Sequence, residues 1–172
     1  MKFKIEFEGK IYDCEWFDKT NFKKLEREKV RQCYGFVFDK EERLCIINCG
    51  GKQGWCLPGG TVEIYDKTFK DTLIREVNEE ADLDLKDIKK VGYIKIIPKE
   101  NPREIHYALR YVAKVKKIKP QTIDPACNII PKRKFILPSE FIDYVNWGEN
   151  GKFQLQKALN VYKTKTKKYI NK

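Results

Sequence analysis

Apolar and polar residues alternate from the start of the chain: Phe3, Ile5 and Phe7 stand between Lys4 and Glu6, and after Glu8-Gly9 the stretch Ile11 to Trp16 alternates again. A period of two turns one face of each segment toward a core, so residues 1–17 are predicted to form an N-terminal β-hairpin. Residues 18–32 are charged and predict a linker or a short amphipathic helix. Tyr34 to Asp39 and Leu44 to Asn48 predict two strands around the turn Lys40-Glu41-Glu42-Arg43, and Trp55-Cys56-Leu57 predicts a third, short one. From Thr68 the period changes, because Phe69, Leu73, Val77 and Ala81 recur every four residues, the spacing of one buried helical stripe. Val91 to Pro98 and Ile105 to Val115 then predict a strand pair, the second with Tyr107, Leu109 and Tyr111 on one face. Lys116 to Pro131 carries three prolines and no period, which predicts a loop. Phe135-Ile136-Leu137 predicts a last short strand, Pro138-Ser139-Glu140 a helix start capped by Ser139, and Gly151 to Tyr162 a closing helix with Phe153, Leu155, Ala158, Leu159 and Tyr162 inward. With no repeat and no break in composition, residues 1–172 are expected to form one domain of mixed helix and strand.

Candidate chemistry concentrates in residues 57–85. Pro58-Gly59-Gly60 can take backbone angles closed to other residues and let a ligand approach the main chain, with Gly59 the candidate for that contact. On the helix that follows, Glu76, Glu79 and Glu80 fall in one sector beside the apolar stripe, since residues three and four apart are surface neighbours. They sit in the last turns, where the helix macrodipole also disfavours negative charge. Arg75 can neutralise one carboxylate, and a divalent cation with hard oxygen ligands would relieve the rest. A solvated acidic face is the plainer reading, but such faces mix signs at the helix spacing, whereas these acids stand together after a glycine loop. A calcium loop built on Asp82, Asp84 and Asp87 lacks the central glycine and closing glutamate.

At these residues the chain resembles the Nudix hydrolase family, whose signature is a glycine, five residues, a glutamate, seven residues, Arg-Glu, an aliphatic, any residue, Glu-Glu, any residue, a glycine and an aliphatic. Gly60 matches the first glycine, Arg75-Glu76-Val77-Asn78-Glu79-Glu80 the central block, and Leu83 the closing aliphatic. The chain departs in three ways: the loop between Gly60 and Arg75 is one residue longer, Asp66 or Lys67 stands for the loop glutamate, and Asp82 for the late glycine. The resemblance implies an α/β (α+β) fold, an α/β/α sandwich around a mixed sheet. It also implies Mg²⁺ or Mn²⁺ held by Glu79 and Glu80, with Glu76 as ligand or base and the carbonyl of Gly60 as a further ligand. Glu76, Glu79 and Arg75 are thereby the catalytic candidates, Arg75 orienting a loop acid, Glu63 or Asp66.

Other residues compete for roles at the site. The basic stretch Ile130-Pro131-Lys132-Arg133-Lys134 suits phosphate binding, with Lys132 and Arg133 the candidates, and Tyr34 could line a base pocket. Glu100, Glu104 and Asp124 are candidate general bases that read first as surface acids, and Glu140 as part of a helix start. His106, in an alternating strand, reads as structural; Trp55 and Trp147 could stack a base but pack a core on the plainer reading.

Composition refines this picture. A chain of 172 residues suits one domain with a real core. The net charge of +11 favours polyanionic ligands such as nucleotides, nucleic acid or anionic surfaces, although lysine-rich codon usage would give the same excess. The six cysteines include no Cys-x-x-Cys and stand beside one histidine, so they read as reduced and structural. No apolar run reaches the roughly 20 residues of a membrane span, and the N-terminus has no apolar signal stretch, which predicts a cytoplasmic protein. The lysine-rich stretch 163–172 reads as a frayed basic tail. The expected activity is hydrolysis of a phosphoanhydride bond in a nucleoside diphosphate derivative or nucleoside triphosphate. The alternatives are removal of diphosphate from an RNA 5′ end or cap, and a catalytically silent nucleotide sensor. A monomer or a homodimer paired through the hairpin edge is expected.

Overall fold

A computed structural model describes residues 1–50 and 54–164; of the basic stretch 163–172, the part from 165 on lies outside the described residues. The predicted hairpin is β1 (Lys2–Phe7) and β2 (Lys10–Phe17), paired from Lys2↔Glu15 to Phe7↔Lys10. Its turn is Glu8-Gly9, both at positive φ, the backbone twist that two-residue hairpins favour. β3 (Val30–Phe38) and β4 (Leu44–Asn48) flank the predicted turn, where buried Asp39 accepts the Arg43 N–H at 2.8 Å and pairs with its guanidinium. β5 (Gly59–Thr61) follows, then α1 (Phe69–Ala81), β6 (Leu83–Pro98), β7 (His106–Ile118), β8 (Lys132–Ile136), α2 (Phe141–Tyr144) and α3 (Gly148–Lys163). The sheet order is β1-β2-β6-β7-β3-β4-β8, and β5 lies off this path, paired with β3 at Gln32 to Tyr34. β3 runs parallel to β7 and the other pairs are antiparallel, so the sheet is mixed.

Alternation along β3 sorts the core into two layers. Cys33 and Val37 pack with Leu73, Val77 and Ala81 of α1, while Phe36 and Phe38 pack with Phe141, Leu155 and Ala158 of α2 and α3. Helices therefore cover both faces, giving the expected α/β/α sandwich. α1 opens on a capping box in which the Thr68 hydroxyl accepts the Asp71 N–H and the Asp71 carboxylate accepts the Thr68 N–H. It ends at Ala81. Asp82, where the family signature has glycine, adopts the left-handed conformation with φ 49, and its carboxylate accepts bonds from Thr122 N–H at 2.8 Å and Thr122 Oγ1 at 2.9 Å. A short polar side chain tolerates this backbone where most others do not. The helix end is thus the one a glycine would give, with an added tie to the 119–131 loop.

Several elements differ from expectation. Residues 18–32 hold two single 3₁₀ turns, Phe22–Lys24 and Arg27–Lys29, because Phe22 is the one large apolar anchor, packed edge-on to Tyr111 at 5.4 Å. Trp55-Cys56-Leu57 makes one bridge, Cys56 to Ile47, and the strand lies at Gly59–Thr61 instead. β6 starts at Leu83 rather than Val91, since bulges between Asp84 and Leu85, Lys86 and Lys89, and Lys90 and Gly92 scramble its alternation. Ser139 makes no cap bond. Pro138–Glu140 is a 3₁₀ turn in which the Glu140 carboxylate accepts the Leu137 N–H at 2.7 Å. α3 begins three residues before Gly151, with Phe153, Leu159 and Tyr162 half-buried around the buried Leu155 and Ala158.

Where β6 crosses β2, a Cβ on Gly92 would lie 2.5 Å from the Phe17 carbonyl oxygen and 2.6 Å from the Trp16 ring. Gly92→Ala is therefore expected to destabilise the fold by about 1–3 kcal/mol, read as a lower urea midpoint at unchanged slope. An unchanged midpoint would contradict this close packing.

Candidate active site

The site is organised by Arg75 on the exposed edge of α1. Its Nε and Nη2 donate to the two oxygens of Asp66 at 3.1 and 3.0 Å, Nη2 also donates to the Thr61 carbonyl at 2.8 Å, and Nη1 reaches Glu76 Oε1 at 2.9 Å and Glu79 Oε2 at 3.0 Å. One guanidinium thus fastens the loop to the helix and holds two of the three glutamates. Asp66, rather than Glu63 or Lys67, is the loop acid that meets it. Asp66 also accepts from Thr72 Oγ1 at 2.8 Å and from the Glu63 N–H at 3.0 Å. Burial alone would raise the Asp66 carboxyl, but Arg75 and these donors outweigh it and hold the pKa at about 2. With Asp66 in the place of the loop glutamate, the extra residue falls between Asp66 and Arg75, while Ile64 and Tyr65 before it face solvent.

The glutamates lie against the glycine strand. A Cβ on Gly60 would meet Glu76 Oε2 at 2.5 Å, so the glycine lets the Glu76 carboxylate rest against the strand where it does. Gly59, at φ 140, donates its N–H to Glu80 Oε2 at 2.7 Å. Burial raises Glu76 against the pull of Arg75. Glu80 is pushed up to about 8, first by burial and then by the charges of Glu76, Asp124 and Glu79, against the Gly59 N–H. Glu79 is more open than Glu76, its side chain 30 % exposed against 13 %.

Asp124 is not the surface acid that the sequence suggests. It is 3 % exposed, accepts the Ala126 N–H at 2.8 Å, and its charge bears on both Glu76 and Glu80. The Asp82–Thr122 tie fixes this loop beside the helix end, a link across forty residues that no local pattern announces. Arg133 also differs from expectation as a phosphate ligand. Its guanidinium is directed to the carbonyls of Ala81, Asp82 and Lys119, where it satisfies the open end of α1, while Lys132 beside it is exposed. Glu100 and Glu104 sit on the far rim of a second cavity with His106, whose ring meets Tyr12 edge-on at 6.5 Å. Trp55 packs edge-on to Tyr144 at 6.0 Å.

Tyr34 lines both the small cleft at Glu80 and this second cavity of about 910 Å³ between the N-terminal hairpin and the start of α3. Sequence reasoning missed Arg110 here, because it sits inside an apolar strand run. It is 5 % exposed, donates from Nε to Gln154 Oε1 at 2.7 Å, and stacks over Tyr34 and Trp147 at 5.0 and 5.5 Å. Burial draws its pKa down to about 10, and no carboxylate pairs with it among the described residues.

Three helix carboxylates and a loop acid, crowded and partly desolvated, are a donor set that suits a hard divalent cation. Their ligand atoms are not yet gathered. Among the described residues, the side chains of this kind whose ligand atoms lie within 4.8 Å of one another are Cys49, Asp124 and Cys127. Arg75 Nη1 holds Glu76 and Glu79, while Glu80 is held apart by the Gly59 N–H.

The NUDIX domain family model matches residues 29–147, well over half of the chain. No curated protein matches the sequence. Among solved structures, a mutant of the pyrophosphohydrolase BsRppH from Bacillus subtilis superposes with a TM-score of 0.70 at 16 % identity, over 94 % of this chain and 97 % of that one. An ADP-ribose pyrophosphatase from Streptococcus suis gives 0.57 at 20 % identity, over 78 % and 92 %. The NUDIX domain of Shewanella oneidensis NrtR, complexed with ADP ribose, gives 0.59 at 12 % identity, over 82 % and 96 %. At these identities the likeness is one of fold, and it agrees with the family match. The chain with the braced Gly60 loop and the Arg75 to Glu80 helix edge belongs to the Nudix family.

Proposed function

We propose that the protein hydrolyses a phosphoanhydride bond in a nucleoside diphosphate derivative or nucleoside triphosphate, with Mg²⁺ or Mn²⁺ held by Glu76, Glu79, Glu80 and the carbonyl of Gly60. The observation that carries this reading is the seating of Glu76 and Glu80 against Gly60 and Gly59, which joins the anionic helix edge to the glycine strand. A divalent ion bound there would offset phosphate charge and make a water nucleophilic near neutral pH. Glu79, more exposed than Glu76, is the candidate to accept a proton from an incoming water. Arg75 positions Glu76 and Glu79 and keeps the loop fixed through Asp66, so it acts through its neighbours. The nucleoside would occupy the cavity beyond Tyr34, beside the Tyr34 and Trp147 rings and near Arg110, which has no carboxylate partner among the described residues. Its volume falls within the range of small-molecule sites. Two further observations support this reading over a silent sensor: the three glutamates are present, and the place of the loop acid is filled by Asp66.

The RNA 5′-end reading is favoured by the net charge of +11 and by the full-length similarity to a pyrophosphohydrolase. Competition separates the two. RNA with a 5′ triphosphate should inhibit turnover of small nucleotides at physiological salt if RNA is the substrate, and leave it unchanged if a free nucleotide is.

Glu79→Gln is expected to lower metal-dependent phosphate or diphosphate release at least about a hundredfold, a loss of roughly 2.7 kcal/mol of transition-state stabilisation, with the circular dichroism spectrum retained. Full activity at saturating metal would overturn the assignment. Stability should report Glu80. Its pKa is raised to about 8 on folding, so its contribution is fully present below the ordinary carboxylate range and is lost as pH rises through 8. Metal-free Glu80→Gln should therefore melt higher than wild type at pH 8, by about 4 °C or more, and the gap should close toward pH 5. A pH-independent gap would contradict the buried-charge cause.

A further inference from the structure

Beside the glutamate edge lies a second group of ligands that the reaction above does not use. Cys49 follows the end of β4, while Asp124 and Cys127 belong to the 119–131 loop that Asp82 ties down, and their ligand atoms lie within 4.8 Å of one another. They line one cleft of about 190 Å³ together with Glu80 and Cys56. The loop is shaped to present them: Asp124 N–H donates to the Ile129 carbonyl at 2.8 Å, Asn128 N–H returns to the Asp124 carbonyl at 2.8 Å, and Asn128 takes a positive φ of 55. The Cys127 thiol donates to Asp124 Oδ2 at 3.2 Å, and the Cys49 thiol faces Glu80 Oε1 at 3.9 Å. All six cysteines are unpaired.

We propose that Cys49, Cys127 and Asp124, with Glu80 as the fourth donor, bind a thiophilic divalent cation of the Zn²⁺ type, in a site separate from the Mg²⁺ or Mn²⁺ edge but sharing Glu80 with it. The chemistry of the donors selects the ion. Two sulfurs are poor ligands for magnesium and good ones for zinc, whereas the all-oxygen helix edge has the opposite preference. Size agrees as well. Zinc–sulfur bonds of about 2.3 Å place tetrahedral neighbours roughly 3.7 Å apart, so Cys49, Cys127 and Asp124 need only a small contraction, and Glu80, which faces Cys49, closes onto them from outside that group. Binding replaces the two thiol protons, together with the proton of the Glu80 carboxyl where it is protonated, all of which pass to solvent, and the Cys127 to Asp124 hydrogen bond becomes a pair of metal bonds. Bound zinc would engage Glu80 and Asp124, and hydrolysis would fall. The site stands on its own donors, while this effect on hydrolysis rests on the function proposed above.

The test uses the full chain in a metal-free phosphine reductant. Co²⁺ added to wild type should bind with a thiolate-to-cobalt charge-transfer band and the visible bands of tetrahedral cobalt, and Zn²⁺ should displace it. Cys49→Ser and Cys127→Ser should each weaken cobalt binding about 10-fold or more and lose the charge-transfer intensity; Cys127 is exposed, so its variant tests the site without disturbing the core. Absence of the band in wild type, or its full persistence in both variants, overturns the proposal. In a second arm, Zn²⁺ should inhibit Mg²⁺-supported hydrolysis, and each serine variant, compared with its own zinc-free rate, should need about 10-fold more zinc. Cobalt bands without any hydrolysis would retain the thiolate site and defeat the proposed function. Equal zinc sensitivity in wild type and both variants would remove the inhibitory role.

Discussion

The contact on which the rest of the site depends is the guanidinium of Arg75. It satisfies Asp66, Glu76, Glu79 and the Thr61 carbonyl at once, so loop, strand and helix are held in one geometry by a single planar cation. Binding to Asp66 first of all, it is held well above the ordinary arginine range, and it stays charged at any pH the protein meets. Lysine could not replace it, since only a fork of fixed donors reaches three directions with hydrogen bonds.

Arg75 neutralises part of the acidic edge and leaves part of it unrelieved. Glu80 has no cationic partner among the described residues and lies in the field of Glu76, Asp124 and Glu79, with one backbone N–H for support. Such a cluster lowers the stability of the metal-free fold, and a divalent ion would convert that deficit into binding energy. The opposite arrangement holds across Tyr34, where Arg110 is a buried cation without a carboxylate partner among the described residues. An acidic edge and a desolvated cation on two sides of one aromatic ring fit a ligand that carries both a phosphate chain and a base.

The parts legible in the sequence are those set by local periodicity. Phe69, Leu73, Val77 and Ala81 lie on the face of α1 that meets the sheet, and the same rotation brings Glu76, Glu79 and Glu80 to one edge beside it. The hairpin at Glu8-Gly9 and the turn at Asp39 to Arg43 were legible for the same reason. What local pattern could not supply is tertiary. Asp124 is buried because Thr122 bonds Asp82, Arg133 is turned inward because the end of α1 leaves carbonyls open, and β6 is extended through bulges that erase its alternation. Arg110 escaped notice because a strand of buried apolar residues gives no sign that one member is charged. The choice between Glu63 and Asp66 likewise required the position of Thr72, whose hydroxyl donates to Asp66.

The central claim is that the Glu76 to Glu80 edge is a cation seat held in waiting by Arg75. Its most direct test is Mn²⁺ titration at pH 7 with simultaneous measurement of proton release. Because Glu80 carries a proton until pH rises to about 8, wild type should bind Mn²⁺ saturably and release about one proton per ion, and Glu80→Gln should bind more weakly and release none. Failure of wild type to bind, or identical affinity and proton release in the two proteins, would contradict the claim.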